Sequence, residues 1–514
     1  MSKMYSSNTL KREKYRKLSG IFIFVIVRKY SCMKNFILFF FLVNFSCTQA
    51  QNVAFIKKEN LLKTVSFLSS PELDGRLPGS PGYHKAAEFM ASEFKKLGLL
   101  PVGDSSYFQF TNVEYTEISD QFYFMLLHAG KPIATYKQGE DYIFRTNTGS
   151  GHARADVVFC GYGISEPALG YDDYADVDVK NKIVLVFKQN PGWKKNNKEW
   201  GEMLTRYKAQ TASKHGALAI LYVSVPNNWD GGVPIGSIMD GDGFYEQNIP
   251  QLHISYKVAD DLLKETKSDL KILKSKIDSL QNPVSFSTET SVELSVNSKY
   301  IKNKRSENVI GFLEGKSKKD EYFVIGAHLD HVGRQGDLYF PGANDNASGS
   351  AAVLEVARAF VSGTKPERSI YFVLFTSEEQ GLLGAKKFVE NPPSSLEKCQ
   401  AFINMDCIAY GDSIQVGCGK TSVNLWKLAK KSDSLSSKQM TERTWAGGGA
   451  DAEPFYKKKI PTAYFVTTNS YKHLHLPSDK VETLNSDLFE KIVRLIFTTA
   501  WDIANGKYSR EKIE

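Results

Sequence analysis

The stretch "SIYFVLFTSEEQGLLGAKKF" (Ser369–Phe388) begins with nine consecutive apolar or hydroxyl residues, which predict a buried strand. Two adjacent glutamates, Glu378 and Glu379, follow this strand. Neighbouring side chains of an extended chain point to opposite faces, so the two carboxylates can serve two different functions. The alternative is a solvated strand end, and the surrounding sequence has to separate the two interpretations.

Strands and helices alternate on both sides of this stretch. The runs "YFVIGAHL", "QAFINMD" and "PTAYFVT" predict further strands, and "SAAVLEVARAF" and "SVNLWKLAKK" predict helices between them. This alternation predicts an α/β domain with a mostly parallel central sheet that is flanked by helices and buried on both faces. In such sheets, functional sites form beyond the carboxyl ends of the strands.

Residues that bind metals or transfer protons cluster at these predicted strand ends. They are His328, Asp330, His331, Asp345, Glu378, Glu379, Asp406, His473 and His475. Imidazole and carboxylate groups both bind Zn²⁺, and a site with three protein ligands keeps a position for water. Two zinc ions about 3.5–4 Å apart need a bridging carboxylate, and Asp345 is suitably placed, with a helix N-cap as its alternative role.

The charge distribution argues against a nucleic-acid partner. The formal net charge is +8, but residues 1–50 alone contain nine Lys and Arg and one acidic residue. The rest of the chain therefore carries 56 basic and 56 acidic residues, and it has no net charge with which to attract nucleic acid.

Residues 1–50 predict a leader. The segment "MKNFILFFFLVNFSCTQAQ" (Met33–Gln51) has a lysine, a short apolar core and small polar residues, as in a secretory signal peptide, and it is too short to span a bilayer. We expect translation to begin at Met33 and the product to be exported, to the periplasm, the outer membrane or the medium. Cleavage after Ala50 and lipidation of Cys47 both remain open, and a lipidated Cys47 is the only membrane attachment that we expect.

Cysteine chemistry contributes little to this sequence. After the leader only Cys160, Cys399, Cys407 and Cys418 remain, and they form no Cys-x-x-Cys pair. We therefore expect neither a disulfide framework nor a thiolate zinc site.

The middle of the chain predicts an inserted domain. We expect residues 51–115 and 291–514 to form the catalytic domain and residues 116–290 to form the insertion, in which short strands alternate with acidic and Gly-, Asn- and Trp-containing loops. The insertion lacks a motif of paired carboxylates and histidines. We therefore interpret it as a non-catalytic module that modulates substrate access and takes no part in zinc binding.

Together, these motifs resemble the secreted and membrane-anchored dizinc aminopeptidases of metallopeptidase family 28, relatives of glutamate carboxypeptidase II. The resemblance covers nearly everything after the leader, including "LDGRLPGSPG" and the insertion, which is similar to a β-rich α+β protease-associated domain. It implies an exported exopeptidase with two Zn²⁺ per chain, most simply an aminopeptidase that hydrolyses N-terminal residues of peptides with a metal-activated water.

The resemblance also implies roles for single residues. The metal ligands would be His328, Asp345, Glu379, Asp406 and His475: His328 and Asp406 on one zinc, Glu379 and His475 on the other, and Asp345 on both. Glu378 would be the general base, Asp330 would orient His328, and Asp345 and Asn346 would be joined by a cis peptide bond.

The sequence departs from the family pattern at several positions. Leu474 stands where many relatives have a tyrosine for the oxyanion, and alanines flank Asp451 where many relatives have Ser-Asp-His. His475 precedes a proline by two residues and an aspartate by four, as the family ligand does, whereas His473 does not. His331 has no ligand role in the family, and we interpret it as structural.

The same motifs leave other functions open. The alternatives are a carboxypeptidase or dipeptidase of the same family, a single-zinc glutaminyl cyclase of the same fold, and a binding protein without catalysis, such as the transferrin receptor ectodomain. The segment "GCGKTS" (Gly417–Ser422) lacks the earlier glycine of a phosphate-binding loop, and no Gly-x-Ser-x-Gly motif is present. The complete ligand set favours a catalytic centre with two metals.

Overall fold

The computed structural model describes residues 53–198, 200, 204–238 and 245–513. The predicted leader, with Met33, Cys47 and Ala50, lies outside the described residues. Among the described helices, none combines the length and apolarity needed to cross a bilayer. The four cysteines after the leader are buried free thiols.

An eight-stranded mixed sheet forms the centre of the larger domain. Its strands are Leu100–Pro101, Phe108–Ile118, Ser298–Leu313, Lys318–His328, Arg368–Phe375, Cys399–Met405, Ile414–Gly417 and Thr462–Thr467. The middle four, in the spatial order Arg368–Phe375, Lys318–His328, Cys399–Met405 and Thr462–Thr467, are parallel. The predicted α/β class is confirmed, and the antiparallel strands lie at the edges of the sheet.

Helices cover both faces of this sheet because its central strands are apolar on both sides. They are Lys58–Leu68, Pro81–Lys96, Gly349–Val361, Leu383–Glu390, Val423–Ser434, Ala452–Lys457 and Ser486–Ala504. In the strand Lys318–His328, Phe323 and Ile325 belong to one hydrophobic core, and Tyr322 and Val324 belong to the core on the opposite face. This burial on both faces holds the ends of the central strands in place.

The inserted domain has a sheet and a core of its own. Its strands are Tyr123–His128, Lys131–Thr135, Tyr142–Phe144, Gly151–Cys160, Ile183–Phe187, Ala219–Val223, Gln251–Ile254 and Ser285–Val296, and its helices are Thr205–Lys214, Tyr256–Leu263 and Leu270–Leu280. The expected boundaries after residues 115 and 290 fall inside the strands Phe108–Ile118 and Ser285–Val296. The first strand pairs within the larger sheet and the second within the inserted sheet. The boundaries themselves stay predictions.

The two domains meet beside the loop that follows the strand Lys318–His328. Ile143 of the insertion forms a small buried cluster with Val332 and Phe340 of that loop. The Gln335 side chain accepts a hydrogen bond from the Phe144 backbone N–H (2.9 Å) and donates one to the Phe144 carbonyl (2.7 Å). The insertion is thus fastened near the carboxyl end of the central strands. Two short hairpins complete the fold, Arg334–Gln335 with Leu338–Tyr339 and Ser165–Glu166 with Tyr171–Asp172.

Candidate metal centre

Three neighbouring parallel strands deliver candidate side chains to one edge of the sheet. His328 is the last residue of its strand, Asp406 follows Cys399–Met405 directly, and Glu378 and Glu379 come shortly after the strand that ends at Phe375. Parallel strands in register end side by side, so the predicted convergence of these residues takes place.

His328, Asp345 and Asp406 form a first group of possible metal ligands. His328 Nε2 lies 3.3 Å from Asp345 Oδ1 and 3.5 Å from Asp406 Oδ1. The Tyr464 hydroxyl donates a 2.7 Å hydrogen bond to Asp406 Oδ2. Asp406 Oδ1 is buried and has no hydrogen-bond partner among the described residues, as expected of an atom reserved for a cation.

A second group consists of His331, Asp345, Glu379 and His475. His475 Nε2 lies 3.1 Å from Asp345 Oδ2 and 3.0 Å from Glu379 Oε1. Asp345 therefore presents one carboxylate oxygen to each group. That is the arrangement of a bridging carboxylate.

The spacing of the donors suits zinc. Two ligand atoms at about 2.0–2.1 Å from a tetrahedral Zn²⁺ ion are about 3.3–3.4 Å apart. The corresponding separations here lie between 3.0 and 3.5 Å. Imidazole nitrogen and carboxylate oxygen are also the donor types that zinc prefers, so the residues fit this metal.

His331 lies closer to the centre than the sequence suggested. Its Nδ1 atom is 3.1 Å from Glu379 Oε1 and 3.7 Å from Asp345 Oδ2, and the ring is fully buried. Its Nε2 atom has no partner within the described part of the chain. His331 is thus a neighbour of Glu379 and a possible fourth ligand of the second group. The only signal in the sequence was its place three residues after His328.

Asp330 has different partners from those that the resemblance implied. Its carboxylate is 3.8 Å from His328 Nδ1, beyond hydrogen-bond distance, whereas its backbone carbonyl is 3.2 Å from that atom. The carboxylate accepts the backbone N–H groups of Glu378 (3.1 Å) and Glu379 (3.3 Å) instead. Asp330 therefore orients His328 through its backbone and holds the two glutamates through its side chain.

Glu378 combines partial solvent access with a perturbed carboxyl group. Loss of hydration raises the pKa of Glu378 well above its ordinary value, and the negative charge of Glu379 acts in the same direction. A carboxylate with a raised pKa is a stronger base than an ordinary glutamate.

The loop that carries Asp345 is fixed by a second buried aspartate. Asp479 accepts the backbone N–H groups of Asn344 (2.9 Å) and Asp345 (3.0 Å), and burial raises the pKa of Asp479 to about 7. The peptide bond between Asp345 and Asn346 is cis, which confirms that prediction. The sequence alone does not reveal that Asp479 contacts this loop, because the two segments are more than 130 residues apart.

Arg76, in the segment "LDGRLPGSPG", is a further residue whose position the sequence did not reveal. Its buried guanidinium donates to the carbonyls of Leu329 (2.8 Å), Pro341 (2.8 Å) and Gly342 (3.0 Å), and also to Leu68. Burial lowers the pKa of Arg76 to about 10. The residue joins the loop after His328 to the loop before Asp345.

Only one histidine of "YKHLHLPSDK" enters the centre. His473 is partly exposed, and its Nδ1 atom pairs with the Ser478 hydroxyl at 2.9 Å. His475 lies in the second group, and its Nδ1 atom is 2.8 Å from the carbonyl oxygen of Gly236 in the inserted domain. The insertion therefore contacts a predicted ligand, although none of its described side chains belongs to either ligand group.

Two departures from the family pattern have a structural counterpart. Leu474 packs against the buried cluster that contains Tyr464 and Phe375, so it offers an apolar surface there. Asp451 is buried, and neither of its carboxylate oxygens has a hydrogen-bond partner in the described residues. Burial raises the pKa of Asp451 well above its ordinary value.

Comparison with known proteins gives two family matches. Residues 308–500 match the model of Peptidase family M28, and residues 153–262 match the model of the PA domain. The first range contains every predicted ligand, and the second contains Gly236.

Individual relatives cover different shares of the chain. The chain is 24% identical over 464 residues to Aminopeptidase YwaD of Bacillus subtilis (strain 168), with 87% of this chain and 85% of that protein covered. It is 28% identical over 384 residues to a Glutamate carboxypeptidase 2 homolog of Caenorhabditis briggsae, with 60% of this chain and 47% of that protein covered. Among solved structures, the aminopeptidase from Aneurinibacillus sp. strain AM-1 superposes with a TM-score of 0.61 at 20% identity, with 91% of this chain and 98% of that chain covered. This similarity shows a shared fold.

Proposed function

The chain belongs to peptidase family M28 and carries a PA domain, and from this premise we propose that it is an exported aminopeptidase with two zinc ions. The observation that carries the proposal is the pair of ligand groups that share Asp345, one oxygen to each, beside the partly accessible Glu378. The leader-like residues 1–50 support export.

In this proposal the metal ligands divide into two halves. His328 and Asp406 would hold one zinc, Glu379 and His475 would hold the other, and Asp345 would contribute one oxygen to each. When bound, the zinc ions polarise the scissile carbonyl and lower the pKa of water. The Tyr464 hydroxyl donates to Asp406 Oδ2, which would leave Asp406 Oδ1 directed at the metal position.

Glu378 transfers the proton. Its carboxylate takes a proton from the attacking water and delivers it to the leaving amine. Asp330 holds the Glu378 and Glu379 backbone amides. The two neighbouring carboxylates can then face in different directions, one to substrate and one to metal.

The first test replaces Glu378 by glutamine, which keeps the shape and removes the base. We expect kcat to fall at least about a hundredfold while the zinc content stays at two per chain. The exposed Glu390 provides a control, because Glu390→Gln makes the same chemical change at the end of a helix outside the centre. Near-normal turnover of Glu378→Gln would exclude the proton-transfer role.

The second test concerns the mode of cleavage, because relatives named glutamate carboxypeptidase 2 homologs leave a carboxypeptidase as the alternative. The panel contains one short peptide in three forms. The first has free ends, the second has an acetylated N-terminus, and the third has an amidated C-terminus. An aminopeptidase cleaves the amidated peptide and spares the acetylated one, and a carboxypeptidase does the opposite.

A further inference from the structure

A segment of the inserted domain pairs with His475 through two backbone-based hydrogen bonds. The Gly236 N–H donates to the His475 carbonyl at 2.9 Å, and His475 Nδ1 lies 2.8 Å from the Gly236 carbonyl oxygen. A carbonyl oxygen can only accept, so His475 Nδ1 must carry the hydrogen. The lone pair of the neutral ring then lies on Nε2, the atom that faces Asp345 and Glu379.

The segment is anchored on its other side to the sheet of the insertion. The N–H of Ile235, the residue before Gly236, donates to Nδ1 of the buried His253 at 3.1 Å. His253 belongs to the strand Gln251–Ile254, and its Nε2 atom is 3.1 Å from the Ser224 hydroxyl. The Gly236 carbonyl is therefore placed by the core of the inserted domain.

Gly236 also fits tightly against the larger domain. A Cβ atom at this position would lie 2.9 Å from Val332 Cγ2 and 3.1 Å from the ring of Phe340. Val332 and Phe340 are buried with Ile143 where the two domains meet, so they have little room to yield. A side chain at residue 236 would therefore force a shift of this tightly packed segment, which carries the carbonyl that contacts His475.

We propose that the inserted domain helps to form the half of the metal centre that contains Glu379 and His475, because its Gly236 carbonyl fixes the tautomer and orientation of His475. Gly236 is a positioning residue, since it acts through His475 and not on the substrate. The inference rests on the ligand role that the proposed function gives to His475. It predicts that a change in the insertion weakens the binding of one zinc and leaves the binding of the other unchanged.

The test compares Gly236→Ala with Gly192→Ala, a change in the same domain where a Cβ atom would meet no described atom within 4 Å. Zinc affinity is measured by competition with a chromophoric chelator, and Co²⁺-substituted protein gives an absorption spectrum of the metal positions. In Gly236→Ala we expect one zinc to bind at least about tenfold more weakly, with an altered Co²⁺ spectrum and the other zinc unchanged. Gly192→Ala should match the unaltered chain.

A double variant controls for misfolding. Val332→Ala removes the atom that a Cβ at residue 236 would meet first, so Gly236→Ala with Val332→Ala should recover part of the lost affinity. Equal affinities and spectra for Gly236→Ala and Gly192→Ala would overturn the inference, as would a double variant no better than Gly236→Ala. If the unaltered chain bound no zinc, the proposed function itself would fail, and that result is distinguishable because it needs no variant.

Discussion

The two halves of the proposed metal centre are held in different ways. His328 ends a central strand, and its Nδ1 atom is 3.2 Å from the carbonyl of Asp330, two residues along the chain. His475 lies on a loop, and its Nδ1 atom is paired with the carbonyl of Gly236, 239 residues away in another domain. Apart from the shared Asp345, the first half is therefore built from the strand ends of one sheet, whereas the second half joins Glu379 at that sheet edge to His475 on a loop that is held by another domain.

The backbone conformations of the two histidines show the same difference between the halves. His475 adopts a left-handed conformation with φ of 55°, which is unfavourable for a residue with a side chain, whereas His328 sits in regular strand geometry. A left-handed residue persists when its neighbours hold it. Gly236 holds His475 at two points, because it donates to the His475 carbonyl and accepts from the His475 ring. We expect the second half to respond more strongly to changes made far from the metal.

We expect the largest effect from a substitution of the residue that both halves share. Asp345→Ala takes away the oxygen that faces His328 and the oxygen that faces His475. We expect neither zinc to be retained after dialysis and peptidase activity to fall at least about a thousandfold. Zinc is counted by elemental analysis, with Asp337→Ala, an exposed aspartate on the nearby hairpin, as the control. Retention of one tightly bound zinc would show that one half stands without the bridge.

The same contrast explains what the sequence could predict. The strand ends were predictable because apolar runs fix the strands, and parallel neighbours bring His328, Asp406 and the glutamates together. The choice of His475 over His473 needed the resemblance to a family, since the two lie only two residues apart in the sequence and composition does not separate them. The contact of His475 with Gly236 was not predictable, because nothing local in either segment encodes it.

Arg76 shows a related limit. An arginine in a turn-rich segment is usually solvated, yet this one is fully buried and donates to carbonyls of two loops that carry ligands. Its burial depends on where those loops fall in three dimensions. Sequence patterns report periodicity along the chain, so they identified the segment as a motif without revealing its partners.

The second prediction separates the halves. His475→Ala should leave one zinc per chain and remove nearly all activity, whereas His473→Ala should keep two zincs and change at most KM, because His473 pairs with Ser478 outside the ligand groups. His328→Ala is the mirror experiment and should also leave one zinc. Zinc content and Co²⁺ spectra are measured on all three. Two zincs in His475→Ala together with one in His473→Ala would move the ligand role to His473.

We expect the smallest effect from a substitution of His331, which contacts Glu379 of the second half. Its Nδ1 atom is 3.1 Å from Glu379 Oε1, the same oxygen that faces His475. His331→Leu removes this nitrogen, whereas His331→Asn keeps a hydrogen-bonding nitrogen or oxygen near the same place. We expect the Leu variant to bind one zinc about tenfold more weakly. The loss is limited to this size because Glu379 keeps its backbone contact with Asp330 and its place opposite His475. The Asn variant should lose less, and the first half should be unaffected in both. Unchanged zinc affinity in His331→Leu would show that Glu379 is held without His331, and loss of the zinc bound by His328 would show that the two halves are not separable.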